Sequence, residues 1–370
     1  METQLTAFIL GRNPAISIAE LQAVFPNAKF LHHNNFAVAE NLPIADVDLR
    51  RLGGIIKVGE VFNHSPLFAI KPIAQHVFKK FDGVEGKQVY GVSSYGLRSN
   101  TNKTILIGIK KALKETGISS RFANKDFENL SSAQTQFEII NKDGVEILVL
   151  SNGKEYWLAE TKAVQPFEEF SKRDYDKPGR DARVGMLPPK LAQILINLAC
   201  GDARGLRVYD PFCGSGTILT EAALLGHTPL GSDIDSRMVV ITRQNIAAAK
   251  LQAEVWVQDA SAANTKKIDV VASEGYLGPP RKSIPEEKVR EHIFRELGDI
   301  YENFFGWVKA KKVVITLPVY CEGGVPKFFS SDVIAPRLEK LGWKRSSLYK
   351  LVYSRASQIV GREITVWSKE

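Results

Sequence analysis

The chain has 370 residues, of which 44% are hydrophobic, and 49 Lys and Arg stand against 41 Asp and Glu for a net charge of +8. That length and apolar content point to two domains with their own cores. There is no apolar run of the roughly 18 residues a membrane span needs and no basic-then-apolar leader, so a cytoplasmic protein with no membrane partner is expected. Cys200, Cys213 and Cys321 are too few and too scattered for a disulfide framework or a zinc site, and the six His lack ligand spacing, so no metal is expected.

In chain order, Thr6 to Leu10 reads as a strand, broken by Gly11-Arg12-Asn13-Pro14. Ser17 with Glu20 three residues on has the signature of a capping box. Strands are expected at Lys29–Leu31 and Phe36–Ala39, a helix at Leu49–Gly54, a strand at Ile55–Phe62 and a helix at Pro72–Phe81. A second α+β module starts with a strand at Gln88–Ser93. A helix follows to about Thr116, apolar at Ile105, Ile109 and Leu113 and basic at Lys110, Lys111 and Lys114. Strands at Phe137–Asn141, Val145–Ser151 and Glu155–Thr161 are joined by turn signals at Asp143-Gly144 and Asn152-Gly153. A charged bridge covers residues 162–186, and Pro188-Pro189 opens a helix to Cys200. From there strands and helices alternate, and a closing hairpin is expected from Tyr349–Ser354 and Glu363–Trp367 around Ser357-Gln358. The pattern is that of a doubly wound sheet of seven strands with an antiparallel end.

The densest signal is Asp210-Pro211-Phe212-Cys213-Gly214-Ser215-Gly216-Thr217, between a strand (Leu206–Tyr209) and a helix (Ile218–Leu225). Gly214 and Gly216 permit positive φ and close backbone approach, and the helix start offers unpaired N–H groups. The third glycine of a dinucleotide fingerprint is Leu219, and no Lys follows Gly216 as in a P-loop. An acidic loop without Lys suits a cationic ligand without phosphate, and S-adenosylmethionine is one. Charge placement agrees: residues 191–280 hold 7 basic and 9 acidic residues, whereas 1–190 hold 25 and 21, and 281–370 hold 17 and 11. Basic flanks fit a nucleic acid. Further acids close the next strands. Asp233, with Asp235 as the fallback, is placed for ribose hydroxyls, and Asp259 for an adenine amino group.

The octapeptide at 210–217, with Arg173-Asp174 and residues 185–193 (Gly-Met-Leu-Pro-Pro-Lys-Leu-Ala-Gln), resembles the THUMP-domain RNA methyltransferases. The nearest branch is the tRNA guanosine-10 N2-methyltransferases, which residues 10–14 and 361–364 also resemble. The resemblance implies a ferredoxin-like module at 1–80, a THUMP-like RNA-binding module at 81–165, a linker at 166–186 and a Rossmann-like class I methyltransferase domain at 187–370. It implies tRNA, or another structured RNA, as partner and S-adenosylmethionine as cofactor. By position, Asp210, Pro211, Phe212, Cys213, Gly214, Gly216 and Thr217 would cradle the methionine part. Some branches require a small activator protein; a monomer is otherwise expected. Alternatives are a methyltransferase of rRNA or DNA amino groups and a silent RNA-binding subunit.

One departure stands out. The family's amino-methylating loop reads Asp-Pro-Pro-Tyr, and here it is Ser273-Glu274-Gly275-Tyr276. A guanine amine is a poor nucleophile because its lone pair is delocalised, so a carboxylate must hold an N–H and aim the lone pair. Glu274 is the acid available, Gly275 in place of Pro is expected to loosen the loop for it, and Tyr276 can stack on an extruded base. Arg281 and Lys282 beyond the loop, and Lys172, Arg173, Lys177 and Arg180 in the bridge, are candidate RNA contacts.

Overall fold

A computed structural model describes residues 4–98, 100–175, 177–179, 187–279, 281, 283–346, 350–355 and 358–369. The chain divides into two compact units: one runs to Ile18 and over Asn27–Glu169, the other comprises Ala19–Pro26 and the chain from Phe170 onward.

The elements of the N-terminal half are β1 (Leu5–Leu10), α1 (Pro14–Val24), β2 (Lys29–His33), β3 (Phe36–Glu40), β4 (Ile55–Ser65), α2 (Lys71–Phe81), β5 (Gln88–Tyr95), α3 (Thr101–Glu115), β6 (Ser120–Phe122), α4 (Ser132–Gln134), β7 (Val145–Ser151), β8 (Tyr156–Val164) and α5 (Phe167–Tyr175). The strands form one eight-stranded sheet in the order β2-β3-β1-β4-β8-β7-β5-β6. Several expectations change here. Residues 137–141 are helical rather than a strand: a capping box between Ser131 and Gln134 starts a helical run, and Asp143, in the left-handed region at φ 52°, ends it. Asp143-Gly144 is therefore a helix stop, and β7 pairs with β5 in parallel. The helix expected at Leu49–Gly54 shrinks to a single 3₁₀ turn, Leu49–Arg51. Ser17 lies inside α1, which starts at Pro14, and its hydroxyl donates to the Gly54 carbonyl at 2.7 Å. The expected division at residue 80 crosses this sheet, because β4 pairs along its length with β8.

Lys57 on β4 and Glu146 on β7 are fully buried and 2.6 Å apart. Lys57 also donates to the Leu130 carbonyl and the Thr135 hydroxyl, while Glu146 accepts from Ser93, Thr135 and Thr161. Each charge is thus desolvated but satisfied, which is the condition for a buried pair to persist.

The C-terminal half contains α6 (Pro189–Cys200), β9 (Arg207–Asp210), α7 (Thr217–Leu224), β10 (Thr228–Asp233), α8 (Ser236–Ala248), β11 (Glu254–Val257), β12 (Val270–Ser273), α9 (Glu287–Trp307), β13 (Lys312–Glu322), β14 (Val325–Phe329), α10 (Ser331–Lys340), β15 (Lys344–Arg345), β16 (Leu351–Tyr353) and β17 (Val360–Ser368). The main path runs β11-β10-β9-β12-β13-β17-β15, with β14 on β13 and β16 on β17. The strands from β11 to β13 are parallel, whereas β17 is antiparallel to β13. The seven expected strands are β9 to β13, β16 and β17; β14 and β15 are additions. The expected closing hairpin is the β16–β17 pair, with Tyr349 and Ser357 outside the described residues. Aromatics fill the core: Tyr301, Phe304, Phe305, Trp343 and Trp367 are almost wholly buried. The sequence order reverses between β9 and β12, so their carboxyl ends open a crevice there. Among the described residues no helix is long and apolar enough to cross a membrane.

Replacing Glu146 by Ala strands a buried ammonium. The loss of stability is expected to be about 3–5 kcal/mol, read as a lower urea midpoint for the N-terminal unit.

Candidate active site

Asp210 ends β9 and is 2% exposed. Its Oδ1 accepts from the Phe212 amide at 3.1 Å and from the Ser273 hydroxyl, at the end of β12, at 2.6 Å. After Asp210 the chain turns sharply through Gly214 (φ 50°) and Gly216 (φ 82°) into α7. A Cβ at Gly216 would lie 2.8 Å from the Thr242 methyl, so the turn presses against α8 and only glycine fits. The loop is braced from β10 and α8. The Gly214 amide donates to Asp233 Oδ2 at 2.9 Å, the Cys213 amide to the Ser232 carbonyl at 2.9 Å, and Asn245 Nδ2 to the Ser215 carbonyl at 2.9 Å.

A cavity of about 560 Å³ opens over this loop. Residues Asp210–Ser215 and Thr217 of the glycine loop, with Asp233, line it together with Glu274, Gly275 and Tyr276. Gly275 has φ 69°, and a Cβ there would lie 2.5 Å from the Thr316 carbonyl oxygen and 2.6 Å from the Tyr301 hydroxyl. The glycine is therefore a requirement of close packing, which corrects the expected loosening of the loop. Tyr276 is 44% exposed, and its carbonyl accepts from the Tyr301 hydroxyl at 3.1 Å. The Glu274 carbonyl accepts from the Thr316 hydroxyl, and Glu274 Oε1 accepts from Arg362 Nε on β17.

The cavity brings together Asp210, Pro211, Phe212, Cys213, Gly214 and Thr217 with Asp233, Asp235 and Asp259. Asp235 caps α8 by accepting from the Arg237 amide and pairs with the Arg237 guanidinium. β11 ends at Val257, two residues before Asp259, which instead closes a turn by accepting from the Ser261 amide at 2.8 Å. Gly216 shapes the turn without lining the cavity, and Ser273 is fully buried beneath it, directed at Asp210. The bridge cations go elsewhere than expected: Arg173 pairs with the buried Glu221 at 2.8 Å, and Lys177 donates to the Thr217 hydroxyl at 2.6 Å. Both satisfy groups on α7. Lys172 and Arg281 are exposed, while Arg180 and Lys282 lie outside the described residues. Sequence reasoning missed the contacts of Thr242, Thr316 and Arg362, each brought in from a distant element.

Burial raises the Asp210 carboxyl to about 7, opposed by its hydrogen bonds from Ser273 and the Phe212 amide. Burial also raises Asp233, against the amides of Asp235 and Gly214. Among the described residues neither carboxylate has a cation paired to it. Burial raises Glu274 as well, and Arg362 pulls it back.

This fold, with a glycine loop and strand-end acids on one crevice, is that of the Rossmann-like class I methyltransferases. Residues 179–316 match the RMKL-like methyltransferase domain family, UPF0020. The chain is 38% identical over 117 residues to the tRNA (guanine(10)-N2)-dimethyltransferase of Methanothermobacter thermautotrophicus, covering 31% of this chain and 34% of that one. It is 28% identical over 189 residues to the enzyme of the same name from Methanocaldococcus jannaschii, covering 47% and 51%. The chain thus spans about a third to a half of the length of these curated relatives. TrmN from Thermus thermophilus shares the fold over 100% of both chains, with a TM-score of 0.52 at 19% identity.

A buried acid with a raised pKa binds its proton more tightly in the folded than in the unfolded state. Asp210 therefore lowers the stability of the free protein as pH rises from about 4 through about 7. Asp210→Asn should flatten this slope, measured as melting temperature across pH 5–8; an unchanged slope would assign it to other groups.

Proposed function

We propose that the protein is an S-adenosylmethionine-dependent tRNA methyltransferase acting on the exocyclic N2 of a guanosine in the position-10 region. The observation that carries this reading is one cavity lined both by the Asp210–Thr217 loop with Asp233 and by Glu274 with Tyr276. The names of the relatives support the same target atom. The acceptors fit the cofactor: buried carboxylates with no counter-cation among the described residues suit an ammonium (Asp210) and ribose hydroxyls (Asp233), and Asp259 suits the adenine amino group. When bound, S-adenosylmethionine supplies a methyl group already activated on a sulfonium.

The chain's own residues do the rest. Tyr276, half exposed at the mouth, offers a face for an extruded base. Glu274 accepts an N–H of the amine and aims the nitrogen lone pair at the methyl. The methyl would come from the sulfonium, and the proton that the methylated amine gives up would leave through the Glu274 carboxylate to water. Ser273 acts beneath them, holding Asp210. The N-terminal unit is read as the ferredoxin-like and THUMP-like RNA-binding part, with Lys103, Lys110, Lys111 and Lys114 exposed along α3. Lys172 and Arg281 remain as RNA contacts; a monomer, with or without a small activator protein, completes the reading.

Unmodified tRNA incubated with the protein and labelled cofactor should yield labelled N2-methylguanosine by nucleoside mass spectrometry. Cofactor binding without label would instead favour a silent RNA-binding subunit. Glu274→Gln is expected to slow transfer by about 100-fold with cofactor affinity kept, and full activity would remove Glu274 from the mechanism. Cofactor affinity should rise as pH passes upward through about 7, where Asp210 ionises. Calorimetry at pH 6 and pH 8 reads this, and Asp210→Asn should abolish the difference.

A further inference from the structure

Arg362 lies in the stretch 361–364 singled out above, but nothing local in the sequence shows that it meets Glu274, which lines the cavity. It is the third residue of β17, placed opposite Pro318 of β13 and Tyr353 of β16. β13 runs beside β12, with Ile315 opposite Ser273, so Pro318 lies three residues beyond the level where β12 ends. Arg362 is thereby carried to the height of the 274–276 loop. Its side chain is 7% exposed, that of Glu274 is 18% exposed, and Arg362 Nε donates to Glu274 Oε1. The main chain beneath is pinned as well: the Thr316 hydroxyl donates to the Glu274 carbonyl, and the Tyr301 hydroxyl to that of Tyr276. The next residue, Glu363, belongs to another pair, with Arg345. Among the described residues Glu274 Oε2 makes no hydrogen bond.

We propose that Arg362 is a positioning residue, which grips one oxygen of Glu274 and leaves the other for the amine of the target guanine. This rests on the function proposed above. A single-point grip suits the task. Bidentate pairing would occupy both oxygens, whereas pairing through Oε1 alone fixes the carboxylate plane and keeps an acceptor. The other groups facing Glu274 oppose ionisation or leave it unaided. Asp210 on β9 is a neighbouring acid, and burial pushes the Tyr301 phenol on α9 up, so it stays neutral. Among the described residues Arg362 is the cation that draws the Glu274 carboxyl back down against burial.

The test is the titration of Glu274, followed by ¹³C NMR on protein labelled at glutamate side-chain carbons and assigned with Glu274→Gln. Arg362→Gln should move the titration to higher pH, by about 1–3 units. The acid limb of the kcat profile for tRNA methylation should move with it. Activity lost at neutral pH should return under alkaline conditions, cofactor affinity should stay unchanged, and Arg362→Lys should restore part of the neutral rate. The proposal is overturned if the titration stays in place, or if kcat falls equally at every pH together with cofactor binding. Should Arg362→Gln fail to fold, the same shift, smaller, is read in Arg362→Lys. A wild-type protein that makes no N2-methylguanosine overturns the function and this role together; a methylating protein with an unmoved limb overturns the role alone.

Discussion

The Asp210 carboxylate is buried at the end of β9 with no cation paired to it among the described residues, and the Ser273 hydroxyl is what makes that tolerable. A carboxylate taken out of water must receive hydrogen bonds or take up a proton. Ser273 supplies one such bond from β12 and the Phe212 amide another. The Ser273 oxygen also accepts from the Gly275 amide at 3.1 Å. One hydroxyl therefore ties the acid proposed for the cofactor to the loop proposed for the target base. An acid at position 273, as in the resembled family's loop, would set two carboxylates against each other at this distance and could donate only when protonated. In this chain a donor at 273 and an acid at 210 fit together.

The glycine loop could be read from the sequence because its requirements are local. Positive φ at Gly214 and Gly216, a helix start at Thr217 and an acid at the end of each strand all follow from a few neighbouring residues. The parallel order of β9 to β12 was likewise readable from the alternation of strand and helix patterns. What stayed hidden depends on distant pairing. Arg362 lies 88 residues beyond Glu274 and meets it only through the register of β17 on β13. Arg173 and Lys177 looked like cations for RNA because a charge in sequence does not reveal its partner. Glu221 and Thr217 on α7 claim them. The N-terminal sheet shows the same limit. Its short strands suggested two modules, but the pairing of β4 with β8 across nearly a hundred residues joins them.

The loop at 273–276 looks degenerate when each residue is compared singly with Asp-Pro-Pro-Tyr, and coherent when the four are taken with their contacts. Gly275 adopts φ 69°, which proline, fixed near −65°, cannot reach. The chain consequently takes a different path between positions 273 and 276 than a Pro-Pro loop can follow. That path packs Gly275 against the Thr316 carbonyl and the Tyr301 hydroxyl. Within it, Ser273 turns down to Asp210, Glu274 lines the cavity and Tyr276 reaches its mouth. A carboxylate displaced by one residue still faces the cavity because glutamate is a methylene longer than aspartate and because Arg362 meets it there. A loop released from any task would have no cause to keep a buried arginine for its acid, since an isolated buried charge of either sign is strongly unfavourable. Ser273, Glu274, Gly275 and Arg362 are a set in which each residue satisfies a need created by another.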